Sequence, residues 1–261
     1  MTTGLAEART RRQRRVVRRP APEAEEAVAR VRRERDLVAL EDIDVVLVGA
    51  HYGLVPQVAD LENEEAHLVR MGARGIVCIA RRLWEAGAWR FAYAHELGHW
   101  LLDDGHDDFA RCTTERGERV RGARRSVESL MSDFAGLFVC PGDEVAARWN
   151  VETPGLEDVV AIANGCGVSV EVSALRVLQM TKAPRAVAVS RAGVVEWWAE
   201  TEGFGARVRA ARAVPAGSEA SALHRERAEG AEGLSDAWDG ERVRSRAVRS
   251  GGGDVVVSWL G

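Results

Sequence analysis

FAYAHELGHWLL, residues 91–102, contains the pattern His-Glu-x-x-His within a run of apolar and small residues. Residues four apart on an α-helix stack on the same face, so His95 and His99 point in one direction and can share a metal ion. In this pattern the two histidines are zinc ligands, and the intervening glutamate, here Glu96, is a general base. The stretch therefore predicts a buried helix that carries part of a catalytic zinc site.

The third ligand of such a site is not given by this pattern. A catalytic zinc usually has three protein ligands and keeps a fourth position for water. The zincin class that continues with Gly-x-x-His after the second histidine is excluded, because Leu102 and Gly105 occupy those two positions. One source is the polar segment after the helix, which we expect to be a solvated loop (Asp103, Asp104, His106, Asp107, Asp108). The better candidate is Glu128, in a segment whose apolar residues recur at helical spacing, although a lone helix glutamate is ordinarily just solvent-exposed.

FAYAHELGHWLL and the downstream VESLMSDFAGLFVCP, residues 127–141, together resemble the ImmA/IrrE family of zinc metallopeptidases. That family typically shows rFtlAHElgHlLL, then a helix of the form E-x-x-A-N-x-F-A-x-x-L-L-M-P. The resemblance is strong over residues 72–142. Met131, Ser132 and Cys140 depart from the second motif, and we interpret these as packing positions.

The resemblance implies a metallo-endopeptidase in which His95, His99 and Glu128 bind Zn²⁺, with Mn²⁺ as the alternative ion. It implies that Glu96 is the catalytic base and that the substrate is a protein, a helix-turn-helix repressor or antitoxin whose cleavage switches transcription. The alternative is a non-hydrolytic, zinc-containing regulatory protein that acts by binding its partner. The intact Glu96 favours the peptidase, since a purely structural zinc site has no evident use for that carboxylate.

Composition predicts a globular, cytoplasmic protein without a membrane partner. Hydrophobic residues make up 46% of the chain, and the net charge of −4 argues against a general nucleic-acid binder. No apolar run approaches the roughly 20 residues of a membrane span, and the basic start lacks the apolar region of a secretory signal. The cysteines form no C-x-x-C pair, and Cys78 and Cys140 lie in apolar runs typical of reduced core residues.

We expect an α+β fold organised in four regions. Residues 1–22 are arginine-rich and predict a disordered basic tail, with a nucleic-acid-binding arm as the alternative. Residues 23–150 predict a zincin-like metallopeptidase domain with a small antiparallel sheet and the His-Glu-x-x-His helix. Residues 151–182 predict a helical pair similar to a helix-turn-helix, and residues 183–261 predict a β-rich region with two hairpins.

Three further segments carry functional alternatives. Residues 76–79, IVCI, predict a strand, which is either an edge strand that binds a peptide or a plain core strand. The second helix of the pair, which Ser169 would cap, offers Arg176 as its single basic side chain, so we do not expect direct DNA binding. The tryptophans of the last region form either a small core or an exposed partner surface (Trp197, Trp198, Trp259).

Overall fold

The computed structural model describes residues 15–62, 64–103, 126–204, 213–214, 220–221, 223, 233–238, 241–250 and 253–260. Within them the protein is α+β, as predicted, with eight α-helices and two sheets of three and six strands. The chain divides into two compact units. The N-terminal unit comprises the described residues of 20–148 and 163–172, and the C-terminal unit those of 1–19, 149–162 and 173–261.

The helices, in chain order, are α1 Pro22–Glu34, α2 Val45–His51, α3 Arg81–Glu85, α4 Arg90–Leu102, α5 Val127–Val139, α6 Gly142–Arg148, α7 Leu156–Cys166 and α8 Val170–Met180. The strands are β1 Arg15–Val16, β2 Leu54–Ala59, β3 Ala66–Met71, β4 Arg74–Ala80, β5 Ala186–Arg191, β6 Val194–Glu200, β7 Gly233–Trp238, β8 Glu241–Ser250 and β9 Gly253–Leu260.

The sheet of the N-terminal unit has the strand order β2-β4-β3. β3 pairs with β4 antiparallel, but β2 pairs with β4 in parallel, so the predicted antiparallel sheet is a mixed one. After β2 the chain crosses to the opposite edge of the sheet, where it forms β3, and then returns as β4 between the two edge strands. Residues 76–79 therefore belong to a central core strand, and the edge-strand alternative is wrong for them.

Helix α4 is buried along most of its length and packs against α5 at a close crossing. A Cβ atom at Gly98 would lie only 3.1 Å from Met131 and from the Phe134 ring. Ser126 caps α5, since its Oγ atom accepts a hydrogen bond from the Ser129 amide at 3.1 Å. The small residue on α4 and the cap on α5 bring the first turn of α5, including Glu128, against α4.

Helix α2 packs beside α4 and contains a glycine, Gly49. The Asp44 side chain caps the helix by accepting bonds from the amides of Val46 and Leu47. A Cβ at Gly49 would lie 2.0 Å from the hydroxyl oxygen of Tyr93, so the glycine makes room for this buried tyrosine of α4. Burial raises the pKa of Tyr93 to about 12.

The C-terminal unit contains the sheet β1-β6-β5-β9-β8-β7. Both predicted hairpins are present as β5–β6 and β8–β9. The first turns at Ala192 and Gly193, which both have positive φ, as a two-residue hairpin turn requires. Trp198 and Trp259 are buried, and the indole of Trp259 donates to the Pro154 carbonyl at 2.9 Å. The strand register places these two on opposite faces of the sheet, and Trp197 is half-buried, so the three form neither one small core nor an exposed surface.

The start of the described chain differs from the predicted tail. Arg15 and Val16 form β1, which pairs in parallel with Ala199 and Glu200 of β6. α1 already begins at Pro22. The prediction of disorder over residues 1–22 is therefore wrong for the pairing residues, where backbone hydrogen bonds to a sheet edge order the chain, and residues 1–14 lie outside the described part.

The predicted helical pair is present as α7 and α8. The Ser169 hydroxyl caps α8 by accepting from the Val172 amide at 3.2 Å. The division between the two units passes through both helices, so the pair is not a separate unit. Among the described residues, no single helix is long and apolar enough to cross a membrane, and α7 and α8 reach that length and composition only as a pair bent by 113°.

Candidate metal centre

Three side chains of the N-terminal unit converge between α4 and α5. The Nε2 atoms of His95 and His99 lie 3.2 Å apart. Glu128 places Oε2 3.1 Å from Nε2 of His95 and Oε1 3.5 Å from Nε2 of His99. The four-residue spacing on α4 and the first turn of α5 thus bring together the three residues that the sequence proposed as ligands, and together they could hold a metal ion.

The spacing of these donor atoms suits a shared metal ion. Zinc–ligand bonds to nitrogen and oxygen of about 2.0–2.2 Å at tetrahedral angles separate the donor atoms by about 3.3 Å. His95 Nε2 lies 3.2 Å from His99 Nε2 and 3.1 Å from Glu128 Oε2, and both separations are close to that value. The 3.5 Å separation from His99 ends on the other carboxylate oxygen, Oε1. Two imidazoles and one carboxylate are also the donor set of catalytic zinc sites, while manganese favours oxygen donors more strongly.

The histidines are buried, with His95 exposing 1% and His99 4% of their surface. Burial lowers the pKa of His95 below its usual value, although the neighbouring Glu128 acts in the opposite direction. A lowered pKa favours the neutral imidazole, which is the form that binds metals. The environment of His95 therefore suits a ligand.

Each histidine also has an oxygen atom near its other ring nitrogen. Ser132 Oγ lies 3.5 Å from Nδ1 of His95, and an Asp103 carboxylate oxygen lies 3.7 Å from Nδ1 of His99. Metal-binding histidines commonly donate their second N–H to such an oxygen, which fixes the ring orientation. Ser132 is therefore more than a packing position, and Asp103, expected in a solvated loop, faces the site instead. The other loop candidates lie outside the described residues (Asp104, His106, Asp107, Asp108).

Glu96 is fully buried beside this cluster. Neither of its carboxylate oxygens makes a well-formed hydrogen bond within the described part of the chain, although the Leu68 amide is close enough to favour the charged form slightly. Burial raises the pKa of Glu96 well above its usual value, and the charges of Glu128 and Glu64 raise it further. Burying a carboxylate without partners is costly, which makes a chemical role the simplest reason for its position.

Two features of the surroundings had no local sequence signal. Arg70 of β3 donates to the backbone carbonyls of His99 and Asp103 at the end of α4. Arg82 donates to the carbonyls of Leu61 and Glu64, which fixes the backbone of the loop before β3. Both contacts join segments far apart in the chain, so only the tertiary fold reveals them.

No protein-family model matches this chain, and no curated protein sequence matches it. Among solved structures, the chain is similar to a Mycobacterium tuberculosis transcriptional regulator, with a TM-score of 0.59 and 17% sequence identity. The similarity covers 92% of this chain and 76% of that chain. At this level of identity, the likeness concerns the fold alone.

Proposed function

We propose that the protein is a zinc-dependent endopeptidase with a zincin-like site of the ImmA/IrrE type. The observation that carries the proposal is the ligand triangle of His95, His99 and Glu128, in which one donor atom from each residue lies within 4.8 Å of the other two, close enough to share a metal ion. The buried carboxylate of Glu96 lies next to it on the same helix. A structural metal site would need the triangle but not this carboxylate.

In the proposed reaction, His95, His99 and Glu128 hold the ion, and Ser132 and Asp103 orient the two imidazole rings. When bound, zinc supplies Lewis-acid activation of a water molecule and of the substrate carbonyl. Glu96 accepts a proton from the attacking water as the new C–O bond forms. It then delivers that proton to the amide nitrogen as the C–N bond breaks.

We further propose that the substrate lies along β3. This strand is at the edge of the sheet, and no other described strand pairs with its second side. An extended peptide can add to such an edge through backbone hydrogen bonds. The effect of the Leu68 amide on Glu96 indicates that β3 runs close to the proposed base, which would bring a scissile bond within its reach.

The proposed partner is a helix-turn-helix repressor or antitoxin in the cytoplasm, and its cleavage would switch transcription. Helix α8 favours a protein partner over DNA. Its single arginine, Arg176, is buried and donates to Gln179. A DNA-reading helix needs exposed basic and amide side chains. The fold is also shared with a solved structure that is itself called a transcriptional regulator.

The test is to incubate the purified protein, loaded with zinc or manganese, with a repressor encoded by a neighbouring gene, and to identify new peptide termini by mass spectrometry. The matched control is the Glu96→Gln variant under the same conditions. We expect cleavage at one bond by the wild type and none by the variant. Equal cleavage by both would contradict the proposed chemistry.

The alternative is a regulator that keeps the metal as a structural element and acts by binding alone. The name of the structural neighbour is compatible with it. Under this alternative, Glu96→Gln would still relieve or impose repression in a reporter assay, because partner binding does not need the base. Under the peptidase proposal, the same variant loses the regulatory effect together with cleavage.

A further inference from the structure

We propose that Arg70 is a positioning residue for the metal centre: it clamps the last turn of α4 and thereby sets the orientation of His99 and Asp103. The inference rests on the proposed metal centre and adds a residue from a different element, the edge strand β3. Arg70 does not touch the donor atoms themselves, so its effect passes through the backbone of the two residues that it holds.

The clamp consists of two charge-assisted hydrogen bonds. Nη2 of Arg70 donates to the carbonyl of His99 at 2.6 Å and to the carbonyl of Asp103 at 3.3 Å. The His99 carbonyl also accepts the Asp103 amide at 3.1 Å, so Arg70 is its second donor. A cation at the end of a helix is favourable because of the helix dipole. Asp103 is the residue at which α4 ends, with φ −98° and ψ 109°. Arg70 thus holds both the ligand and the point where the chain leaves the helix.

The guanidinium group is itself held in place by Trp100. The Cζ atom of Arg70 lies 4.9 Å from the centre of the Trp100 ring, in a cation–π arrangement. The Trp100 indole in turn donates to the carbonyl of Tyr52 at 2.9 Å. A lysine could supply the charge at this place but not the planar group that stacks on the ring while it bonds two carbonyls.

The consequence concerns the second ring nitrogen of His99. The Asp103 carboxylate lies 3.7 Å from Nδ1 of His99, which is longer than a hydrogen bond but close enough for its negative charge to favour the N–H on Nδ1 and leave Nε2 for the metal. This contact depends on how the chain leaves α4, which is the part that Arg70 holds. Loss of Arg70 should therefore release Asp103 and leave the ring of His99 less well oriented, with all three ligands still present.

The experiment compares Arg70→Met and Arg70→Lys with Arg81→Met in the full-length protein. Arg81 is a matched control, since it forms an exposed ion pair with Asp60 on the same unit. Zinc affinity is measured by competition with a chromophoric chelator, and ligand geometry by the absorption bands of the Co²⁺-substituted protein. We expect Arg70→Met to lose about 10- to 100-fold in zinc affinity, as the loss of a residue that supports a metal ligand typically does, and to shift the cobalt bands. Arg70→Lys should fall between wild type and Arg70→Met, and Arg81→Met should match wild type.

A double variant tests the route of the effect. If Arg70 acts through Asp103, Arg70→Met combined with Asp103→Asn should lose no more affinity than the weaker-binding single variant. Losses that multiply would overturn the proposed route. A lower melting temperature in Arg70→Met with wild-type zinc affinity and unchanged cobalt bands would reduce Arg70 to a structural residue. Equal zinc affinity of wild type and Glu128→Ala would instead contradict the proposed metal centre itself, and the inference about Arg70 would fail with it.

Discussion

Oε2 of Glu128 lies 3.1 Å from Nε2 of His95, although the two residues belong to different helices joined by a long connection. Their approach depends on Gly98, where the backbone of α4 comes close to Met131 and Phe134 of α5. The two contacts that include Glu128 are thus supplied by helix packing, whereas the His95–His99 contact is supplied by helix geometry.

Glu128→Ala should lower zinc affinity by more than about 100-fold, since removing a ligand should cost more than removing a residue that only supports a ligand. Glu144→Ala is the matched control, because Glu144 lies on α6 and pairs with Arg148. Asp104→Ala and His106→Ala should also keep the metal. Metal analysis and chelator competition on the purified variants decide the matter, and loss of metal only in His106→Ala would move the third ligand into the polar segment.

Glu96→Gln should abolish cleavage while leaving metal content near that of wild type. The amide keeps the shape of the side chain but cannot accept a proton, and loss of a general base costs about 10²- to 10⁴-fold in rate. Single-turnover cleavage and metal analysis on the same preparation separate the two roles. Cleavage at the wild-type rate would show that Glu96 is not the base.

Ser132→Ala should weaken zinc binding by about 10-fold, because His95 loses the oxygen atom 3.5 Å from its Nδ1. Ser132→Asn introduces the residue that the resembling family carries at this position, and its side-chain oxygen can accept the same N–H. We therefore expect the asparagine variant to bind zinc at least as well as the alanine variant. The reverse order in a chelator competition would argue against any support of His95 from position 132.

Gly49→Ala should destabilise the N-terminal unit by about 1–3 kcal/mol, as overpacking typically does, because the new methyl group would collide with the Tyr93 hydroxyl. Tyr93→Phe removes the atom that lies closest. The cost of Gly49→Ala should consequently be smaller in the Tyr93→Phe background, which urea unfolding of the four proteins measures. An identical loss of unfolding free energy in both backgrounds would show that α2 and α4 move apart instead.

The elements that the sequence predicted best are those with a strong local pattern. The apolar spacing and the histidine pair located α4 and α5, and Ser169 located the start of α8. Strands β2 and β3 were missed, since β2 contains a proline and β3 mixes histidine and arginine with apolar residues. Strand β4 was found, but its central place was not, because strand order depends on the path of the chain through space.

The residues of the candidate site also differ in whether a local sequence pattern predicts them. His95, Glu96 and His99 follow from one turn of helix, and Glu128 needed the family resemblance in addition. Asp103 lies beside His99 because it follows it by four residues at the end of α4. Ser132 and Arg70, by contrast, gain their places beside the histidines only from the crossing of α4 with α5 and with β3. Polar residues of this kind have no periodicity to distinguish them from ordinary surface residues.

Strand β1 has a consequence for the order in which this protein assembles during synthesis. Its partners, Ala199 and Glu200, leave the ribosome long after Arg15 and Val16 do. All the elements of the N-terminal unit, by contrast, have been made once residue 172 has emerged. We expect the nascent chain to form the α4–α5 pair while β1 still has no strand to join, since closing so long a loop is slow. The earliest residues of the described chain would then be among the last to reach their final positions.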